Sequence, residues 1–265
     1  MKNVLLLIHD DAGQEARLQA ALDVTRALRG HLTCLDVTTV TPFVGDSSGV
    51  SGGAILLELE RASEAANKAR IAPRIAAEDV PWDWIDTTDY VEPALEAAAA
   101  LADLIVVNRA LDALPLPDMR AVASSLVLKS GKPILAVPDE ARGFDAAGEA
   151  LIAWDGSREA ADALAAAVPL LLLAGSVTIL EVEDGTIARP AEEAAAYLSR
   201  HDIHANVLRM QTGSAADTLA YAAAGGRYDY LVMGAFGHSR LAEALFGGVT
   251  RRLLSESPIP ILLAH

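Results

Sequence analysis

Two kinds of apolar pattern alternate along this chain. The first is short and nearly continuous: Val4 to Ile8, His31 to Val37, Asp103 to Val107, Pro133 to Val137, Ala150 to Trp154, Ser176 to Val182, Asp229 to Met233 and Ile259 to Leu263. Such runs predict strands buried on both faces, as in a parallel sheet. Trp82 to Asp86, which alternates, and His204 to Arg209 add two more strands. The second pattern has apolar residues at helical spacing: Gln14 to Leu28, Ala54 to Ala77, Pro93 to Leu101, Met119 to Ser130, Pro190 to Arg200, Ser214 to Ala224 and Val249 to Ser257. A further helix is capped by Ser157, has Glu159 near its positive end and runs to about Leu173, with a kink expected at Pro169. Pro73 is expected to interrupt the helix from Ala54. Thr41 to Gly53, rich in Gly, Ser and Pro, reads as a loop.

Pro138 to Gly148 breaks the alternation with Pro, Gly and charge and reads as a linker, after which the pattern restarts. Asp10 corresponds to Asp155 at an offset of 145, and Asp103 to Asp229 at an offset of 126, so the first half carries about 19 extra residues. They are placed in the Thr41 to Gly53 loop and the helix after it. The fold expected is therefore α/β: two tandem, doubly wound, Rossmann-like domains at 1–138 and 149–265, each with five parallel strands and right-handed crossovers. Ligands in such sheets lie at strand carboxyl ends where strand order reverses. The Asp155 loop and the loop opening at Gly234 both lie at such ends.

Composition narrows the partners. The formal net charge is −15 over 265 residues, which argues against nucleic acid and anionic membranes. The single cysteine, Cys34, fits a reducing compartment and a buried strand position. Only five apolar residues follow Met1-Lys2-Asn3 before His9-Asp10-Asp11, so no signal peptide is expected and a cytoplasmic location is.

The loop from Met233 carries Gly234, then Gly237 after two residues, then Gly247 after nine, followed by Gly248-Val249-Thr250 at a helix start. This is neither the dinucleotide fingerprint nor a Walker loop. On spacing alone it is either a phosphate site, with backbone open to a ligand and helix N–H groups behind it, or a tight loop with a glycine-bearing helix start.

With the strand ending Ala153-Trp154-Asp155-Gly156-Ser157, that loop, and the terminal Pro258-Ile259-Pro260-Ile261-Leu262-Leu263, the chain resembles the universal stress protein family as a tandem of two domains, strongly in the second half and weakly in the first. The resemblance implies a doubly wound parallel sheet of the adenine nucleotide alpha hydrolase type and, as in some members, ATP bound as its Mg²⁺ complex. It places Asp155 and the Glu181-Val182 backbone beside the adenine. It places Met233, Gly234, Gly237, Gly247 and the amides of Gly248 and Val249 around ribose and phosphates. The family's ATP-binding pattern has Ser or Thr where Gly248 stands; Thr250 keeps a hydroxyl nearby. The first half, with Asn108-Arg109-Ala110-Leu111-Asp112 and Leu114-Pro115-Leu116-Pro117 after its fourth strand, lacks the loop, so no nucleotide is expected there. The family's last strand commonly pairs across an interface, so the two halves are expected to pair last strand to last strand as an intramolecular pseudo-dimer. A homodimer through other surfaces and an unidentified protein partner remain compatible with this.

Other residues have plainer readings. Asp155 before Gly156 can cap a turn. His238, Arg240, Arg251 and Arg252 read as surface positions, and Glu58, Glu60 and Glu64 as a solvated helix face. No catalytic or metal-ligand grouping stands out. Three functions are compatible: a nucleotide-binding protein acting through binding, a nucleotide-free interaction module of the same fold, and a slow ATPase, for which no general base is apparent.

Overall fold

The computed structural model describes residues 1–39, 50–108, 119–183, 185, 187–211, 214–235 and 248–265. The strands are β1 (Asn3–Ile8), β2 (His31–Thr39), β3 (Trp82–Asp89), β4 (Leu104–Asn108), β5 (Ile134–Val137), β6 (Glu149–Trp154), β7 (Ser176–Val182), β8 (Ala205–Met210), β9 (Tyr230–Gly234) and β10 (Ile261–Ala264). The helices are α1 (Gln14–Leu28), α2 (Val50–Ala76), α3 (Val91–Ala98), α4 (Met119–Ser130), α5 (Arg158–Leu171), α6 (Ala191–Ser199), α7 (Ala215–Ala224) and α8 (Gly248–Glu256). All ten strands form one sheet in the order β3-β2-β1-β4-β5-β10-β9-β6-β7-β8. Each half is a parallel doubly wound unit, and the halves join where β5 and β10 run antiparallel, with Leu135 opposite Leu262.

The alternation of each strand's side chains divides the core. Val4, Leu6 and Ile8 pack on one face with α1, α5, α6 and the end of α2; Leu5 and Leu7 pack on the other with α3, α4, α7 and α8. Helices on both faces explain why the inner strands carry unbroken apolar sequence. The outer strands β3 and β8 alternate between half-buried and exposed positions along their length.

Local signals account for several element ends. Ser157 caps α5 by accepting from the Ala160 amide at 3.1 Å, and Ser214 caps α7 by accepting from Asp217 at 3.2 Å. An aspartate at the start of the fourth strand of each half holds the start of the first. Asp103 accepts from the amides of Lys2 and Asn3 at 2.6 and 2.9 Å, and Asp229 accepts from Glu149 at 2.6 Å.

Three expectations need correction. α2 begins at Val50, so residues 50–53 are helical rather than loop, while residues 40–49 lie outside the described residues. Pro73 does not interrupt α2; Ile71 and Ile75, both fully buried, hold the helix on either side of it. The helix from Pro93 ends at Ala98, and Ala99–Leu101 tightens to a 3₁₀ turn. The segment 138–148 between the halves carries no helix or strand and packs against the sheet: Phe144 and Ala146 are buried, and the Phe144 ring lies 5.0 Å from that of Tyr230 on β9.

Candidate functional site

In the second half β7 and β9 lie on opposite sides of β6, so strand order reverses at the crevice between β6 and β9. Asp155 follows β6 directly, Val182 closes β7 and Gly234 closes β9. The register sets Trp154 beside Glu181 and Ile152 beside Val232, so the carboxyl ends of β6, β7 and β9 are level with one another. Val182 and Met233 are buried, and Asp155 is half-buried.

The Asp155 loop is tightly determined. The Asp155 carboxylate accepts from the Ser157 amide at 2.9 Å, the turn-capping role expected of Asp before Gly. Its carbonyl accepts from Ala188 at 2.8 Å, and the Trp154 indole donates to the Arg189 carbonyl at 2.9 Å. Gly156 has φ 73°, and a Cβ there would fall on the Arg189 backbone. The segment leading into α6 therefore rests on this loop. Glu181, itself buried, sends its carboxylate to the α6 start, accepting from Ala191 at 2.7 Å and from Arg209 Nε at 2.8 Å. Its side chain is engaged in structure, while its backbone runs beside Trp154, the residue before Asp155.

The glycines divide by cause. A Cβ on Gly234 would stand 2.5 Å from the Ala160 nitrogen and the Glu159 carbonyl carbon in the first turn of α5. Only glycine lets β9 and α5 approach this closely, whatever binds nearby. Gly248 is exposed, and a Cβ there would meet nothing within 4 Å among the described residues, so on their side its backbone is open to approach. Val249 is half-buried and Thr250 buried in the first turn of α8, whose N–H groups form the positive end of that helix. Arg252 pairs with Asp217 and, at 3.0 Å, with Glu256, and Arg251 is exposed, so both are surface residues. Gly237, Gly247, His238 and Arg240 lie outside the described residues, as do Arg109 to Pro117 of the first half.

The equivalent corner of the first half holds what the sequence reading missed. Glu64 is 3% exposed, not solvated, and only Glu58 of the three glutamates on that helix is open to solvent. His9 Nδ1 lies 2.6 Å from Glu64 Oε1, and Thr39 donates to Glu60 at 2.7 Å. Asp36, also buried, lies within hydrogen-bonding reach of Glu64. Burial, then the charges of Glu64 and Asp86, push the Asp36 carboxyl up to about 7. Burial opposes charge on the His9 imidazole, but the hydrogen bond and charge of Glu64 outweigh it and its pKa is raised. The available signal was helical spacing: Glu60, Glu64, Asn67, Ile71 and Ile75 share one face of α2, and the two isoleucines mark that face as inward.

Residues 176–265, from the first residue of β7 to the end of β10, match the family model of the universal stress protein family. Among solved structures, a universal stress protein from Archaeoglobus fulgidus DSM 4304 matches with a TM-score of 0.73 at 17% identity, over 99% of this chain and 97% of that one. A candidate universal stress protein from Pseudomonas aeruginosa UCBPP-PA14 matches with a TM-score of 0.57 at 16% identity, over 100% of this chain and 93% of that one. At these identities the structural likeness concerns the fold alone. A comparison with curated proteins finds no match.

Proposed function

We propose that the second half, which carries the universal stress protein match, binds an adenine nucleotide, ATP above all, and that the protein acts in stress response by binding rather than by catalysis. The observation carrying this reading is the meeting, at one strand-order reversal, of the Asp155 turn with the end of β9, whose loop leads to the open Gly248 backbone at the α8 start. In this reading Asp155 and the Glu181-Val182 backbone meet the base. Met233, Gly234, Gly237 and Gly247 pass the ribose, and the amides of Gly248 and Val249 with the Thr250 hydroxyl face the phosphates. Mg²⁺ would enter with the nucleotide, held mainly by phosphate oxygens and water. Occupancy would tune stability or the binding of a protein partner in the cytoplasm. Among the described residues no helix is long and apolar enough to cross a membrane.

A second reading, a nucleotide-free interaction module, draws on two observations. The Ala188-Arg189 backbone already rests on the Asp155-Gly156 loop, and packing against α5 accounts for Gly234 without a ligand. Gly248→Ser separates the two readings. The side chain has room, and it restores a hydroxyl at the phosphate end of the site. Calorimetric titration should show MgATP binding by the parent and several-fold tighter binding by Gly248→Ser. Absence of binding by both proteins would favour the interaction module.

A further inference from the structure

At the carboxyl ends of β1 and β2, carboxylates outnumber the cations available to them. The donor atoms of His9, Glu60 and Glu64 lie within 4.8 Å of one another. Asp36, at 4% exposure, adjoins Glu64, and its Oδ1 has no hydrogen-bond partner among the described residues. An orphaned carboxylate oxygen that deep in the protein is costly.

The second half shows how the same place is otherwise balanced. Asp36 and Glu181 correspond at the offset of 145 that relates Asp10 to Asp155. Glu181 has Arg209 opposite it on β8 and the α6 amide of Ala191. Asp36 has Asp86 opposite it on β3, a further carboxylate. Among the described residues, the cations near the first-half cluster pair with carboxylates outside it: Arg17 with Asp11, Arg70 with Asp10, Arg61 with Glu58, and Lys68 with Asp86, Lys68 also acting on Asp36 through its charge. One imidazole, with the neutral donors Thr39 to Glu60 and Asn67 to Glu64, therefore faces three carboxylates, and Asp36 Oδ1 is left without a donor among the described residues.

We infer that His9, Glu60 and Glu64, with Asp36 as a fourth oxygen donor, bind a divalent first-row transition-metal ion. One imidazole nitrogen with carboxylate oxygens suits zinc or manganese. Zinc–ligand bonds of about 2.0–2.2 Å set tetrahedral donors roughly 3.3 Å apart, a spacing that His9, Glu60 and Glu64, already within 4.8 Å of one another, reach with small side-chain shifts. Two of the donors sit one turn apart on α2 and two at adjacent strand ends, so the ion would pin α2 to the sheet. Glu60 and Glu64 themselves lie on α2, within the part of the chain with extra residues. The site is independent of the nucleotide reading, which concerns the other half.

The test uses the full chain, stripped with chelator and then dialysed separately against micromolar Zn²⁺ and Mn²⁺. Metal content is read by elemental mass spectrometry and melting temperature by circular dichroism. The parent should retain one equivalent of at least one of the two ions and melt at a higher temperature with it. Glu60→Gln, at a half-buried position, should fold and lose most of the bound metal; His9→Ala should do the same. Parent protein that retains neither ion overturns the proposal. So does retention of one equivalent by both variants, which would put the ion elsewhere. Should either variant fail to fold, the other and the parent's melting shift decide.

Discussion

Gly234 and Gly248 belong to one glycine pattern, yet the structure assigns them opposite sensitivities to a methyl group. In Gly234→Ala the new Cβ would lie 2.5 Å from backbone atoms of Glu159 and Ala160, where contact begins at about 3.5 Å. Neither neighbour is a side-chain end that can swing aside. The start of α5 must retreat by roughly 1 Å, loosening the Ser157 cap and the β9–α5 contact. Overpacking of this kind costs about 1–3 kcal/mol, and the lower chain entropy of the unfolded alanine variant returns about 0.4–1 kcal/mol. The net loss is roughly 1–2 kcal/mol, or a fall in Tm of about 2–8 °C for a chain of this size. Gly248→Ala meets no atom of the described residues within 4 Å at an exposed helix start, so its stability should be unchanged or higher by up to about 1 kcal/mol. Urea unfolding followed by circular dichroism measures both variants against the parent. Gly234→Ala as stable as the parent, or Gly248→Ala clearly less stable, would refute the packing argument. The comparison also governs any binding experiment: loss of nucleotide by a Gly234 variant reports on α5 as well as on the loop.

Other outcomes are equally specific. Cys34 is buried, with its thiol pushed up to about 12 by burial and then by the charges of Asp83 and Asp36, so thiol reagents should label it only on unfolding; rapid native labelling would contradict its placement. Backbone hydrogen bonds from Asn3 and Lys2 hold the Asp103 carboxyl below its usual pKa. Its contribution to stability is therefore present above the unfolded pKa and lost as pH falls through the lower folded value. Asp103→Asn should flatten part of the acid limb of stability against pH, and an unchanged limb would contradict this. Phe144→Ala should cost about 3–5 kcal/mol, because the ring is buried against Tyr230; a loss below about 1 kcal/mol would show that this segment is a free tether. Cysteines at Leu135 and Leu262, directly opposed across the join, should cross-link within one chain in a Cys34→Ser background, whereas bridging only between chains would contradict the pairing.

Much of this architecture is legible in the sequence because its signals are local. α1, α4 and β7 coincide with the apolar runs that predict them, and the Ser157 and Ser214 caps lie where a hydroxyl precedes helical spacing. The features that were not legible depend on what another element brings alongside. Pro73 carries a breaker signal, but the buried Ile71 and Ile75 on either side override it; residues 50–53 are helical where the neighbouring Ile55 and Leu56 are exposed. The composition around Glu64 suggests a solvated face, and only its position under His9 and Asp36 shows otherwise. The reason for Gly234 is the α5 backbone, about 75 residues away in sequence, which no glycine spacing discloses. At the candidate site, the Asp155 turn and the carboxyl-end placement of Val182 and Gly234 follow from strand alternation. The close approach of Ala188 and Arg189 to that turn does not.

The central claim concerns nucleotide in one half and none in the other, so stoichiometry tests it most directly. Equilibrium dialysis of the full chain against labelled ATP with Mg²⁺, carried to saturation, counts the sites. The account predicts one ATP per chain, displaced by unlabelled adenine nucleotide and unaffected by His9→Ala in the first half. Saturation at two per chain, or no retained ATP at any concentration, would contradict it.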